Sequence, residues 1–155
     1  MDSEEIVDAV RDFLDDDDWK YEYDAERKII RADISLDCKL KHASLRIKVR
    51  ETSYNVYIVL PISADKDTLP NVISYTTMAN YGLIPGCFEV DVEDGEVRFR
   101  TYVNADGLTA LSTAVIKDSI YCGWSIVEHY GDGLAALIMG FSDVKTEIEK
   151  AEKDD

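Results

Sequence analysis

From Phe88 to Arg100 apolar and charged residues alternate on both sides of an Asp94-Gly95 pair. Asp-Gly supplies the left-handed backbone that a two-residue reversal needs, so this stretch reads as an antiparallel hairpin and little else. Counting outward from such a turn pairs Glu93 with Glu96, Val92 with Val97, Asp91 with Arg98, Val90 with Phe99 and Glu89 with Arg100. The apolar pairs then share one face and the acid–base pairs the other. Each cross-strand pair contributes about 0.2–1 kcal/mol, so the pattern specifies register more than it adds stability.

Upstream, the same period of two recurs in shorter units. Trp19, Tyr21 and Tyr23 mark a first short strand, which turns at Asp24-Ala25-Glu26. Ile30, Ala32, Ile34 and Leu36 form one face of a second strand, and Ala43, Leu45, Ile47 and Val49 one face of a third. Opposite the latter set stand Ser44, Arg46, Lys48 and Arg50. Tyr54 to Leu60 is largely apolar on both faces, the mark of a central strand or one covered on both sides. Four strands joined by short turns predict an antiparallel meander.

Helical spacing brackets these strands. Ile6, Val7, Val10, Phe13 and Leu14 predict a helix from Ser3 to Leu14, with Ser3 as its cap and the Asp15–Asp18 run ending it. Asp65 to Tyr81 returns to the helical period, with Leu69, Val72, Ile73, Thr76 and Ala79 on one stripe and Gly82 as the stop. A long helix begins near Ser112, is interrupted at Gly131 and Gly133, and continues as a short apolar piece from Leu134 to Phe141. A final charged helix is expected over Ser142 to Glu152. Together these elements predict an α+β domain, an antiparallel sheet of meander plus Asp-Gly hairpin packed with helices. The 155 residues suit one domain, 1–155, with 1–2 and 153–155 expected to fray.

Composition narrows the function classes. Lys and Arg number 17 against 32 Asp and Glu, a net charge of −15. Such a balance disfavours nucleic acid, whose binding needs cations that release counterions, and also an anionic membrane surface. The acidic N-terminus lacks the features of a secretory signal, and no apolar run approaches the length of a bilayer span. Cys38, Cys87 and Cys122 are too dispersed for a zinc ribbon or a disulfide framework. A cytoplasmic location follows as the expectation. His42 and His129 lie in no ligand-spaced motif, and nucleophile elbows, dinucleotide fingerprints and P-loops are absent from the sequence. Asp15–Asp18 lacks the spaced acids, glycine and closing glutamate of a calcium loop. No enzyme, cofactor or metal is therefore expected.

The block Asn80-Tyr81-Gly82-Leu83-Ile84-Pro85-Gly86-Cys87-Phe88-Glu89-Val90-Asp91, followed by Asp94-Gly95-Glu96-Val97-Arg98-Phe99-Arg100-Thr101, resembles the YbjN family, bacterial proteins named for a proposed role in sensory transduction regulation. The order of elements agrees over roughly residues 3 to 150. The resemblance implies a fold similar to the type III secretion chaperones, often dimeric, and carries no catalytic residues. In physical terms Gly82 and Gly86 bracket a tight crossover, Pro85 stiffens it, and Asn80 can bond the chain as it leaves the helix.

Charge is unevenly spread. Residues 1–26 carry a net −10, residues 27–50 a net +6, and the remainder −11. The expectation is a solvated basic face partly neutralised by the acidic N-terminus, or else a stripe of Arg46, Lys48 and Arg50 that binds an acidic partner segment or a second subunit. Tyr57 and Val59, on the second apolar face of their strand, are further candidate contacts. The function expected is a non-enzymatic, chaperone-like or regulatory adaptor that binds a protein and forms a homodimer. The alternative is a small-ligand-sensing module with a pocket between sheet and helix lined by Tyr and Trp.

Overall fold

The computed structural model describes residues 1–153. The chain runs through α1 (Ser3–Asp16), β1 (Glu22–Asp24), β2 (Ile29–Ser35), β3 (His42–Val49), β4 (Ser53–Val59), α2 (Leu69–Tyr81), β5 (Gly86–Val90), β6 (Val97–Asn104), α3 (Thr113–Ile138) and α4 (Val144–Glu152). The strands form one open antiparallel sheet in the order β1-β2-β3-β4-β6-β5. The first four strands make the expected meander. α2 then carries the chain to the far edge, and the hairpin returns to lay β6 against β4.

The sheet has one buried face. Ile30 and Ile34 of β2, Leu45 and Ile47 of β3, Tyr54, Val56 and Ile58 of β4, and Val97 and Phe99 of β6 all point toward the helices. α1 and α3 cross this face over β3, β4 and β6, α2 packs beside β5, and α4 rests on α2 and α3. Tyr54 joins the layers: its hydroxyl lies 2.9 Å from Ser119 Oγ, and Ser119 in turn donates to the Ile116 carbonyl. Tyr75 of α2, also fully buried, donates to the Tyr130 carbonyl of α3 at 3.1 Å.

Several boundaries differ from expectation for identifiable reasons. The cap of α1 is Asp2, not Ser3: Asp2 and Glu5 exchange side-chain-to-backbone bonds of 2.9 Å in a capping box. The Met1 ammonium donates to the carbonyls of Ala105 and Leu108. Lys153 ends α4, and 154–155, the rest of the expected frayed tail, lie outside the described residues. α1 extends through Asp16, and the acidic run leaves it with Asp18 at φ 59°. α2 starts at Leu69 because Asp65 instead closes a turn, accepting from the backbone N–H of Asp67 and Thr68 at 2.9 Å. Gly82 follows α2 with an ordinary φ of −100°, so no left-handed cap is formed there. Gly86 does serve a close approach, since a Cβ there would stand 2.2 Å from the Arg100 carbonyl oxygen.

Gly131 and Gly133 do not interrupt α3, which runs unbroken to Ile138. Their lack of a side chain is used sideways. A Cβ on Gly131 would meet Cys38 Sγ at 2.5 Å, and one on Gly133 the Tyr75 hydroxyl at 2.3 Å. The helical cost of glycine, about 1 kcal/mol each, is offset by letting two neighbours pack against the helix backbone.

The hairpin register is also corrected. Val90 faces Val97, Phe88 faces Phe99, Glu89 faces Arg98 and Cys87 faces Arg100, two residues away from the counted pairing. The reversal is a four-residue loop, Val92 to Gly95, in which Gly95 N–H donates to the Asp91 carbonyl at 2.7 Å. Asp91 and Asp94 brace it by accepting from the backbone N–H of Glu93 and Glu96 at 2.9 Å. What selects this register is Phe88 against Phe99, buried edge-to-face with centroids 5.1 Å apart, while Val92 is left exposed. A slip of two keeps every side chain on its expected face.

Gly95 has φ +76°, and a Cβ on it would lie 1.9 Å from the Ala64 carbonyl, whereas Gly107 at φ +75° has open space around it. Gly95→Ala should therefore cost about 2–4 kcal/mol of stability in urea unfolding and Gly107→Ala about 1 kcal/mol. Equal losses would show that the Ala64 contact yields without resistance. A second outcome is set by the tyrosines. Burial pushes the Tyr54 hydroxyl from 10.0 up to about 12 and raises Tyr75 as well. The unfolded chain releases these protons near pH 10 and the folded chain only higher, so stability falls as pH rises through that window. Tyr54→Phe should flatten the fall between pH 10.0 and about 12, read as the urea midpoint against pH.

Candidate binding face

The strands that bury one face in the helices leave the other without any helix over it. Along β3 the outward positions are Ser44, Arg46 and Lys48, continued by Arg50, each about 6.7 Å from the next. Register sets their neighbours. Arg46 stands between Arg31 of β2 and Tyr57 of β4, and Tyr57 stands beside Arg100 of β6. In the adjoining rows Lys48 lies between Ile29 and Asn55, and Val59 lies between Ser44 and Arg98. Six of the chain's 17 basic residues, Arg31, Arg46, Lys48, Arg50, Arg98 and Arg100, thus share one open face.

All five expected contact residues meet here. Arg46, Lys48, Arg50, Tyr57 and Val59 line a shallow hollow of about 310 Å³ together with Ile29 and Arg98. Tyr57 and Val59 are not covered by the protein's own helices. Instead the Arg98 guanidinium lies 4.3 Å from the centroid of the Tyr57 ring, a cation–π contact that shields the apolar floor. Neither Ile29 nor Arg98 was legible as a contributor. A two-residue turn matches Arg98 to Asp91, and its place beside Val59 depends on a β4–β6 pairing that no local pattern encodes.

The charges on this face fall into two halves. Toward β5, Glu89 holds both Arg98, at 3.0 Å, and Arg100, at 3.2 Å. Toward β2, Asp24 serves Arg27 at 3.6 Å and reaches Arg31 at 4.0 Å. Between them, among the described residues, no carboxylate pairs with Arg46, Lys48 or Arg50. Lys48 donates to the Arg27 carbonyl and Arg50 to Asn55 Oδ1 at 3.3 Å. The acidic N-terminus does not neutralise the stripe, since α1 lies on the opposite side of the sheet. Among the described residues α1 itself reaches the basic segment through the ion pair of Glu4 with Lys28, at 2.6 Å. Asp17 is held low by hydrogen bonds from Tyr121 and Trp19, which stitch the acidic run to α3.

Other candidates resolve as architecture or surface. Among the described residues no group of three His, Cys, Asp or Glu could hold a metal. The three cysteines are free, and burial pushes the Cys38 and Cys122 thiols up, which disfavours the reactive thiolate. Asn80 binds Phe88 in both directions, donating to its carbonyl at 2.9 Å and accepting from its N–H at 2.7 Å, so it ties α2 to the edge strand. Between sheet and helices Tyr54 and Tyr75 are fully buried and pack into the core. A hollow of about 460 Å³ lies elsewhere, at the end of α3, with Leu40, Ile62, Ala135, Met139 and Phe141 in its walls and Lys39 and Lys150 beside them. No helix among the described residues is long and apolar enough to cross a membrane.

No family model and no curated protein matches the sequence. Among solved structures the fold is similar to the crystal structure of YbjN from E. coli, described as a proposed transcription regulator. The TM-score is 0.61 at 7% identity, and the match covers 86% of this chain and 92% of that one. The fold is thus YbjN-like: four helices on a six-stranded antiparallel open sheet.

Proposed function

We propose that this chain is a regulatory or adaptor domain that acts by binding a protein partner through the open face of its sheet, without chemistry of its own. The observation that carries the reading is the stripe of Arg46, Lys48 and Arg50. These cations have no carboxylate partner among the described residues, beside an apolar floor of Ile29, Tyr57 and Val59, in a chain of net charge −15. Long basic side chains over partly apolar ground, in an otherwise acidic molecule, mark where a negatively charged surface is admitted and where other surfaces are repelled. The YbjN-like fold supports a regulatory reading at the level of fold.

The triple reversal Arg46→Glu, Lys48→Glu and Arg50→Glu should abolish partner capture while leaving the far-ultraviolet circular dichroism unchanged. Wild-type capture should weaken as salt is raised, because exposed charges are screened over about 10 Å at 0.1 M salt. A folded variant that captures the same proteins at the same salt would remove the proposal. The apolar hollow at the end of α3 favours a second reading, a small amphiphilic ligand, since its size lies within the range of ligand cavities. A thermal-shift screen with short-chain and aromatic carboxylates should then raise the melting temperature of the wild type and not of Ala136→Trp, which places an indole in the wall of the hollow. A flat wild-type response would dismiss this second site.

A further inference from the structure

We infer that the sheet face reads an extended acidic segment whose carboxylates recur at every second residue. This rests on the interaction reading above and goes further by specifying the partner's pattern. Arg46 and Lys48 on β3 and Arg50, one residue beyond its end, follow one another at i, i+2 and i+4, so along an extended chain their stems stand about 6.7 Å apart. An extended polypeptide repeats its same-side chains at that same interval. Three acids in alternation all face the stripe together. Three contiguous acids in an extended chain point alternately toward and away from it, and only one or two can engage.

The surroundings favour a short acidic polypeptide over the other anionic polymers. Nucleic acid derives its affinity from many phosphate contacts that displace condensed counterions. Here the unpaired stripe is three cations long and is bounded by acids on both sides, Asp24 on β1, Asp33 on β2 and Glu89 on β5. A polyphosphate running past the stripe meets these carboxylates and a molecule of net charge −15. A second copy brings that same charge. A short segment with acids only where the cations stand avoids both penalties, and its intervening side chains point to solvent.

The test uses the full chain and labelled synthetic peptides at low salt, read by fluorescence anisotropy. One peptide alternates glutamate and serine, and a second of identical composition carries the glutamates in one block. The alternating peptide should bind about fivefold tighter, the gain from bringing one or two more carboxylates into exposed ion pairs. That preference should vanish in the triple Glu variant and shrink in Arg46→Gln, whose exposed position leaves folding intact. Equal binding of the two peptides overturns this inference and leaves the acidic-partner reading standing. Binding of neither overturns both. Tighter binding of a single-stranded oligonucleotide of matching charge assigns the face to nucleic acid and overturns it, as does self-association of the wild type that the triple variant loses.

Discussion

The close approach of α3 to the sheet is the contact on which the rest of the structure depends. α3 is the longest helix and touches β4, β6, α1, α2 and α4. It comes near because Gly123 lacks a side chain and rests on Phe99 and Ile58 of the sheet, while Gly131 likewise admits Cys38 of the β2–β3 loop and Gly133 the Tyr75 hydroxyl of α2. At that distance Tyr54 reaches Ser119 and Tyr75 reaches the Tyr130 carbonyl, so the polar tips of two deeply buried rings are satisfied within the helix layer. A bulkier helix would stand off the sheet and α2 and leave those hydroxyls buried without partners, at about 1–3 kcal/mol each.

Placing every helix on one side has a consequence for the other. The outward positions of β2, β3, β4 and β6 must be tolerable in water, and charged or amphipathic residues meet that condition. The face could have been solvated by acids, which the chain has in excess. It is solvated mainly by Arg and Lys. Glu89 neutralises the half near β5, Arg98 folds over Tyr57, and the stripe on β3 is left with its positive charge. The asymmetry between a helix side that carries the acids of α1 and a sheet side that carries the cations gives the molecule two distinct surfaces, one of which suits an acidic partner.

Element types were largely legible because each segment buries one face and therefore repeats at the period of its backbone. The alternation at Ala43–Val49 predicts both the strand β3 and the outward set Arg46, Lys48 and Arg50, and the continuous apolar run of β4 predicts its central place. Errors arose where a local rule competed with a distant contact. Asp94-Gly95 favours a two-residue turn, yet the burial of Phe88 on Phe99 and the hydrogen bond from Ala64 N–H to the Gly95 carbonyl select a four-residue loop. Gly131 and Gly133 look like breaks in a helix until Cys38 and Tyr75 are seen against them. The hydroxyl of Tyr75 donates to α3, a partner that helical period does not reveal, so the apolar stripe of α2 read from spacing omits its largest buried member.

By itself, the sequence determined the α+β class, the meander, the hairpin, the net charge of −15 and the run of alternating cations on β3. All of these are properties of neighbouring residues, set by side-chain period and turn chemistry. Tertiary structure alone decided that β6 inserts beside β4 and that every helix takes the same side. From those choices come the placement of Tyr57 and Val59 on the face away from the helices, the arrival of Arg98 and Ile29 beside the stripe, and the capture of Arg98 and Arg100 by one glutamate. The physical reason is that which charge meets which, and which apolar face stays uncovered, depends on pairings between segments distant in the chain. Those pairings are selected by the burial of the whole core and not by any local pattern.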